Sequence, residues 1–102
     1  MAEIIWTEPA LGDLDAIADY IALENPKAAV ELVSRVFAHV DQLKAHPESG
    51  SKPAELGRNP RYRQLVESPC RIFYRFDGKR VFILHVMREE RLLRETRLQE
   101  RE

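Results

Sequence analysis

The chain has 102 residues, 44% of them apolar, which is enough for one hydrophobic core and too few for two. No stretch approaches the roughly 18 consecutive apolar residues that span a bilayer, and no signal-peptide pattern opens the sequence. The single cysteine, Cys70, excludes an internal disulfide and a cysteine-based zinc site, and it is expected to be a packed strand residue. We expect one soluble, cytoplasmic domain over residues 1–102 with no membrane partner.

The net charge of −1 conceals an asymmetry between the two halves of the chain. Residues 1–50 carry three Lys or Arg against nine Asp or Glu, a net charge of −6, whereas residues 51–102 carry thirteen against eight, a net charge of +5. A basic half favours an anionic partner, either nucleic acid or an acidic protein. The alternative is that the two charged faces are solvated and attract each other within the fold.

The chain begins with a predicted strand and a predicted helix. Residues 3–6 form a short apolar run, and Thr7 followed by Pro9 is typical of a helix start. Spacings of three and four then define one apolar stripe, made of Leu11, Leu14, Ile17, Ala18 and Ile21.

A second helix is predicted to begin at Asn25 and Pro26, a cap followed by proline in the first helical position. This helix reaches His46 before Pro47 ends it. Its stripe consists of Ala29, Leu32, Val33, Val36, Phe37, Val40 and Leu43. Because only two or three residues connect the two helices, they form an antiparallel hairpin.

The second half predicts a loop and then three strands. Residues 47–60 are rich in proline, glycine and serine, as expected of a loop. The strand candidates are residues 61–66, 70–76 and 79–87. A primed turn centred on Asp77 and Gly78 joins the last two strands and sets Arg75 opposite Arg80. These two arginines repel each other unless an anion lies between them or the turn has three residues.

The end of the chain, from Arg88 onward, carries five arginines spaced by three or four residues. If this segment is helical, the arginines lie on one face: Arg88, Arg91, Arg94, Arg97 and Arg101. The alternative is a solvated, salt-bridged terminal helix. In either case residues 94–102 are expected to form a charged, frayed tail of the domain.

The order of these elements, together with the stretch "CRIFYRFDGKRVFILHVM", resembles the RelE/ParE toxin superfamily over nearly the whole chain, up to about Leu93. Cys70 stands where tyrosine is more usual. The resemblance implies an α+β fold. Its parts are an N-terminal strand, an antiparallel helix hairpin, a three-stranded antiparallel meander packed on the helices, and a short C-terminal helix.

The superfamily has two main activities, and the resemblance does not choose between them. RelE-type toxins cleave mRNA in the ribosomal A site, whereas ParE-type toxins inhibit DNA gyrase so that gyrase-cleaved DNA persists. The resemblance implies a cognate antitoxin in both cases, here one similar to ParD, and contact with promoter DNA only through the antitoxin complex.

Metal-free RNA cleavage needs a base, an acid and cations on the scissile phosphate. Arg71 matches the strand arginine that the nucleases of the family aim at the phosphate, but Glu89 and Glu90 stand where these nucleases carry histidine or tyrosine. The histidines do not supply the missing pair. His85 is either a buried, hydrogen-bonded side chain or a residue facing a groove. No metal-ligand spacing and no cofactor motif appears.

The resulting hypothesis is a gyrase-binding toxin similar to ParE, with no catalytic residue, metal or cofactor. Its predicted gyrase- or anion-binding residues are Arg71, Arg75, Arg88 and Arg91. Its predicted antitoxin contacts are Leu14, Ile17 and Tyr20, each of which is also a candidate core residue. One alternative is a RelE-like mRNA endonuclease that uses Arg61, Arg63, Arg71 and Lys52 on the phosphate, with Glu89 or a tyrosine as base. Another is a regulatory member kept for its antitoxin complex.

Overall fold

The fold consists of a four-stranded sheet with two helices on one face. The computed structural model describes residues 1–102. In chain order the elements are β1 (Glu3–Trp6), α1 (Glu8–Ala22), α2 (Pro26–Asp41), β2 (Tyr62–Glu67), β3 (Cys70–Phe76), β4 (Arg80–Arg88) and α3 (Glu95–Gln99). The strands lie in the order β1-β4-β3-β2, with β1 parallel to β4 and the other neighbours antiparallel. The predicted α+β arrangement is confirmed. None of the helices combines the length and the apolar character that crossing a membrane requires.

Both long helices begin at the predicted caps. The Thr7 side chain accepts a hydrogen bond from the Ala10 N–H at 3.3 Å, and the Asn25 side chain accepts one from the Ala28 N–H at 3.1 Å. The second helix ends at Asp41 rather than near His46, because the chain tightens there into a single 3-10 turn at Gln42–Lys44.

The apolar stripes of both helices pack on the inner face of the sheet. The buried residues of this layer are Ala10, Leu14, Leu32, Val36, Val40, Leu43, Leu65, Cys70, Ile72, Tyr74, Val81, Ile83 and Val86. At its edge the Tyr74 hydroxyl accepts a hydrogen bond from the Gly50 N–H at 3.0 Å. This bond fastens the loop between α2 and β2 to the sheet, so that the loop has a defined course.

The hairpin between β3 and β4 turns one residue later than predicted. The Asp77 N–H donates to the Arg80 carbonyl at 3.1 Å, so Gly78 and Lys79 are the central turn residues, and of these only Gly78 has positive φ, at 99°. The Asp77 carboxylate accepts from the N–H groups of Lys79 and Arg80, which stabilises this turn over the predicted one. The predicted opposition of Arg75 to Arg80 was therefore wrong.

A β-bulge in β4 changes which side chains share a face. Phe73 pairs with His85 and Tyr74 with Ile83, so that Leu84 is the extra residue between them. The alternation therefore shifts: Ile83 and then Val86 point to the inner layer, while Leu84 and Met87 join the outer one. Met87 therefore does not share a face with Val81 and Ile83, as it would in a strand without the bulge.

The outer face of the sheet is covered by the end of the chain, which we call the C-terminal segment (residues 91–102). Its two buried leucines pack with residues of the sheet to form a second cluster: Tyr62, Phe73, Leu84, Met87, Leu93 and Leu98. Only α3 is helical there, and Arg94 before it is extended at φ −108° and ψ 129°. The predicted single arginine face was therefore wrong, since Arg88 belongs to β4 and residues 89–94 are not helical.

Candidate functional site

The Arg71 guanidinium on β3 is held by neighbouring residues. Only 8% of the residue is exposed. It donates to both carboxylate oxygens of Glu55 at 2.7 Å, to the Gln64 side chain at 2.9 Å and to the Arg91 carbonyl at 3.2 Å. These four hydrogen bonds use most of the five donors of a guanidinium. In this conformation Arg71 stabilises the fold and does not present a free cation to a phosphate.

Glu55 is the residue that fixes Arg71. Its carboxylate also accepts the Leu93 N–H at 3.1 Å, so it joins the loop before β2, strand β3 and the C-terminal segment. The hydrogen bonds from Arg71 lower the pKa of Glu55 from 4.5 to about 2, against the opposing effect of burial. The carboxylate is therefore ionised at neutral pH and unsuited to act as a general acid.

Arg75, the second predicted strand arginine, is also paired. Its guanidinium lies over the Phe82 ring, 4.8 Å from the centroid, and its Nε is 3.0 Å from the Glu102 carboxylate. The sequence analysis did not foresee this acidic partner, because Glu102 and Arg75 are brought together only by the course of the C-terminal segment.

The end of β4 offers no acid–base pair. Glu89 and Glu90 are exposed, and Glu90 accepts a hydrogen bond from Arg88 Nε at 2.9 Å. The pKa of Glu90 is lowered, first by its own backbone N–H and then by Arg88. These hydrogen bonds favour the ionised form of the Glu90 carboxylate, which cannot donate a proton to a leaving group.

His85 is engaged in a network with α1. Its Nδ1 lies 2.7 Å from the Asp13 carboxylate, which also pairs with Arg101 and accepts the Val86 N–H at 3.1 Å. Burial acts to raise the pKa of Asp13, but the hydrogen bonds from His85, Arg101 and Val86 together leave it lowered. Of the two interpretations of His85, the hydrogen-bonded side chain holds, although its ring also contributes to a cleft beside the network.

This cleft, which we call the arginine cleft, lies between α1, the end of β4 and the chain that follows β4. It has a volume of about 850 Å³. Its floor is mainly apolar and includes Ile17, Val86, Met87 and Leu93, and its rim carries four arginines, Arg88, Arg91, Arg94 and Arg97. Apart from Arg88, none of these arginines forms an ion pair. The cleft thus combines apolar surface with unneutralised positive charge.

The predicted site residues separate into two groups. Arg88 and Arg91 come together at the arginine cleft, whereas Arg71 and Arg75 lie under or beside the C-terminal segment. Of the predicted antitoxin contacts, Leu14 is only 2% exposed and belongs to the core, so its side chain does not form part of the surface. Ile17 lines the arginine cleft, and Tyr20 is 68% exposed.

Solved structures share this fold. A chain of the chromosomal ParDE toxin-antitoxin system from P. aeruginosa is 29% identical with a TM-score of 0.73, covering 88% of this chain and 98% of that chain. A chain of the toxin-antitoxin complex RelBE2 from Mycobacterium tuberculosis has a TM-score of 0.56 at 22% identity, covering 86% and 98% respectively, which supports the fold alone. The class defined by the fold is therefore that of the RelE/ParE toxins.

Within this class the sequence comparisons are more specific. The family model described as the ParE toxin of the type II toxin-antitoxin system parDE matches residues 4–93, so this chain belongs to the ParE toxin family. The chain is also 34% identical over 90 residues to a protein named toxin RelE2 from Caulobacter vibrioides, covering 86% of this chain and 92% of that protein.

Proposed function

We propose that this toxin acts by binding, inhibits DNA gyrase in the cytoplasm, and is neutralised by a cognate antitoxin similar to ParD. The observation that carries the proposal is the arginine cleft at the end of β4, where a nuclease of this class would need an acid–base pair. A surface that combines apolar area with arginines is suited to docking on a protein.

The charges around the cleft favour an acidic protein surface as the target. Arg91, Arg94 and Arg97 have no intramolecular acidic partner, so a carboxylate on the target neutralises them without breaking an existing pair. Glu89 and Glu90 are exposed beside them and repel a polyanionic RNA strand. The apolar floor adds contact area for aliphatic side chains of a protein and offers none for a phosphate backbone.

The same surface supports the antitoxin proposal. Ile17 lies in the cleft and Tyr20 is exposed on the same helix, α1, one turn further along. An antitoxin segment that folds on binding would cover both residues, as recognition of grooves by disordered tails commonly does. In this proposal, contact with promoter DNA is left to the antitoxin.

The test is supercoiling of relaxed plasmid by purified gyrase in the presence of the purified toxin. We expect inhibition, together with linear DNA released after detergent and protease treatment, which reports a stabilised cleavage complex. Unimpaired supercoiling and no linear DNA at several-fold molar excess of toxin would contradict the proposal.

The second candidate is a ribosome-dependent mRNA endonuclease, favoured by the similarity to the protein named RelE2. In that case Arg61, Arg63 and Arg71 would bind the phosphate, which requires Glu55 to release Arg71. Primer extension on mRNA after brief expression distinguishes the two. Cuts clustered at A-site codons would replace the gyrase proposal with this one.

A further inference from the structure

Two arginines and a tyrosine converge on one carboxylate at the edge of the outer face. The Glu102 carboxylate lies 2.7 Å from Arg61 Nε and 3.0 Å from Arg75 Nε. Tyr62 follows Arg61 directly in the chain and pairs across strands with Arg75. It is 1% exposed, and its hydroxyl forms no hydrogen bond of acceptable geometry. We call Arg61, Tyr62 and Arg75 the anion cluster.

The donors of the anion cluster are those that bind a phosphoryl group. Guanidinium groups donate planar, charge-assisted hydrogen bonds that match phosphate oxygens as well as carboxylates. Arg75 is preorganised by its position over the Phe82 ring. The Tyr62 hydroxyl lies beside Glu102 without a well-aligned hydrogen bond, so it is a further donor that a ligand at this place could satisfy.

Glu102 behaves as an internal anion in this cluster. The hydrogen bond from Arg61 is the main cause of the lowered pKa of Glu102, so the carboxylate stays ionised at neutral pH. Glu102 also contributes, after burial, to the raised pKa of Tyr62, which places negative charge beside the phenol. The Arg61 side chain remains about half exposed, at 53%, so the cluster is open to solvent on one side.

We infer that the anion cluster is a binding site for a phosphoryl group, and that the Glu102 carboxylate occupies it in cis. The ligand and the C-terminal segment then compete for the same two guanidinium groups. The residues of this site lie apart from the arginine cleft and take no part in the proposed contact with gyrase, so the inference goes beyond that function. Arg61 is shared with the endonuclease candidate, whereas Tyr62, Arg75 and the competition with Glu102 belong to this inference alone.

The competition predicts that removing the internal anion strengthens binding. We expect the Glu102→Gln variant to bind inorganic phosphate about tenfold more tightly than the unaltered protein in calorimetric titration at low salt, because the site is no longer largely occupied. Adding Arg61→Gln to Glu102→Gln should abolish this gain. Glu31→Gln is the matched control, since it removes an exposed carboxylate that pairs with Lys27 outside both the cluster and the arginine cleft, and it should leave phosphate affinity unchanged.

The probes distinguish the source of the phosphoryl group. Binding of a mononucleotide and inorganic phosphate alike indicates a free phosphate ligand, whereas much tighter binding of a short single-stranded oligonucleotide, still dependent on Arg61, indicates a nucleic-acid backbone. Circular dichroism and thermal unfolding confirm that each variant is folded. The inference is wrong if Glu102→Gln binds no probe more tightly than the unaltered protein, or if Glu31→Gln gains as much.

Discussion

Glu55 lies in a proline-rich loop, yet its side chain connects that loop with two other parts of the fold. One carboxylate accepts hydrogen bonds from Arg71 on β3 and from the Leu93 N–H in the C-terminal segment. Because Arg71 is buried, loss of this partner would leave a charge without compensation inside the protein. Glu55 is therefore the residue on which the position of Arg71 depends.

The stability contributed by Glu55 should depend on pH. Its pKa is about 2 in the folded protein and 4.5 ordinarily, so the contribution is fully present above pH 4.5 and is lost as the pH falls through 2. We expect Glu55→Gln to lower the free energy of unfolding by about 2 kcal/mol at pH 7. The difference from the unaltered protein should shrink steadily in urea unfolding below pH 4.5.

A matched control is Glu48→Gln, which removes an exposed carboxylate 3.8 Å from Arg63. This variant should unfold at nearly the same urea concentration as the unaltered protein throughout the pH range. A difference between Glu55→Gln and the unaltered protein that stays constant from pH 7 to pH 3 would contradict the role of the Glu55 charge.

Gly50 is a second residue whose size matters. A Cβ there would lie 2.6 Å from both the Gln64 carbonyl oxygen and the Tyr74 hydroxyl, closer than atoms can approach. We expect Gly50→Ala to lower the free energy of unfolding by about 1–3 kcal/mol. Gly12→Ala is the control, since nothing lies within 4 Å of its added Cβ, and in α1 it should stabilise by about 0.5–1 kcal/mol. Equal thermal shifts for the two variants would contradict the close contact at Gly50.

Neither the role of Glu55 nor the close packing at Gly50 could have been predicted from the sequence. Glu55 and Arg71 are sixteen residues apart, and a loop has no periodicity that would orient a side chain toward a particular strand. The pairing of Arg75 with Glu102 has the same origin, because contacts between distant segments follow from the tertiary course of the chain. The residues that were predicted correctly, Thr7 and Asn25, act on their own helices within three residues.

At the scale of the element, the C-terminal segment depends on the sheet for its structure. A helix of five residues such as α3 is too short to be stable alone. The C-terminal segment is stabilised by burial of Leu93 and Leu98 against the outer face of the sheet. Removing either contact should therefore loosen the whole segment and expose the aromatic and aliphatic residues beneath it.

We expect Leu98→Ala to cost about 2–4 kcal/mol in chemical denaturation, because Leu98 is fully buried. Hydrogen exchange should show lost protection in the C-terminal segment before the rest of the protein. Leu92→Ala is the control: this leucine is 82% exposed, and its replacement should change stability by less than about 0.5 kcal/mol. Similar costs for the two leucines would show that the segment does not pack as described.

The elements that sequence predicted well are those with a local signal. Helix caps, apolar stripes and the apolar strand runs identified every long element and their order. In the C-terminal segment the sequence pattern was misleading. The arginines have helical spacing, but the backbone course is set by burial of Leu93 and Leu98, which that spacing does not indicate. The bulge at Leu84 carries no glycine or other sequence mark, so the change of faces in β4 could not be foreseen.

For the whole molecule, the charge asymmetry between the two halves of the chain has two parts. Some charges attract each other within the fold, and others are left for an anionic partner. Some cations of the basic half pair with anions of the acidic half, as Arg101 does with Asp13 and Arg63 does with Glu48. Others remain unpaired at the arginine cleft, where Arg91, Arg94 and Arg97 lie together. The arginine cleft thus brings together three cations that have no ion pair, which supports a role for that surface in binding an acidic partner.

The central proposal, that the arginine cleft docks on gyrase, is tested most directly by comparing variants in the gyrase supercoiling assay. We expect Arg88→Ala with Arg91→Ala to raise the toxin concentration needed for half inhibition by at least about tenfold while thermal unfolding stays unchanged. Lys27→Ala with Lys79→Ala removes the same charge from exposed positions outside the cleft and should keep full potency. Equal inhibition by the cleft variant and the control variant would contradict the proposal.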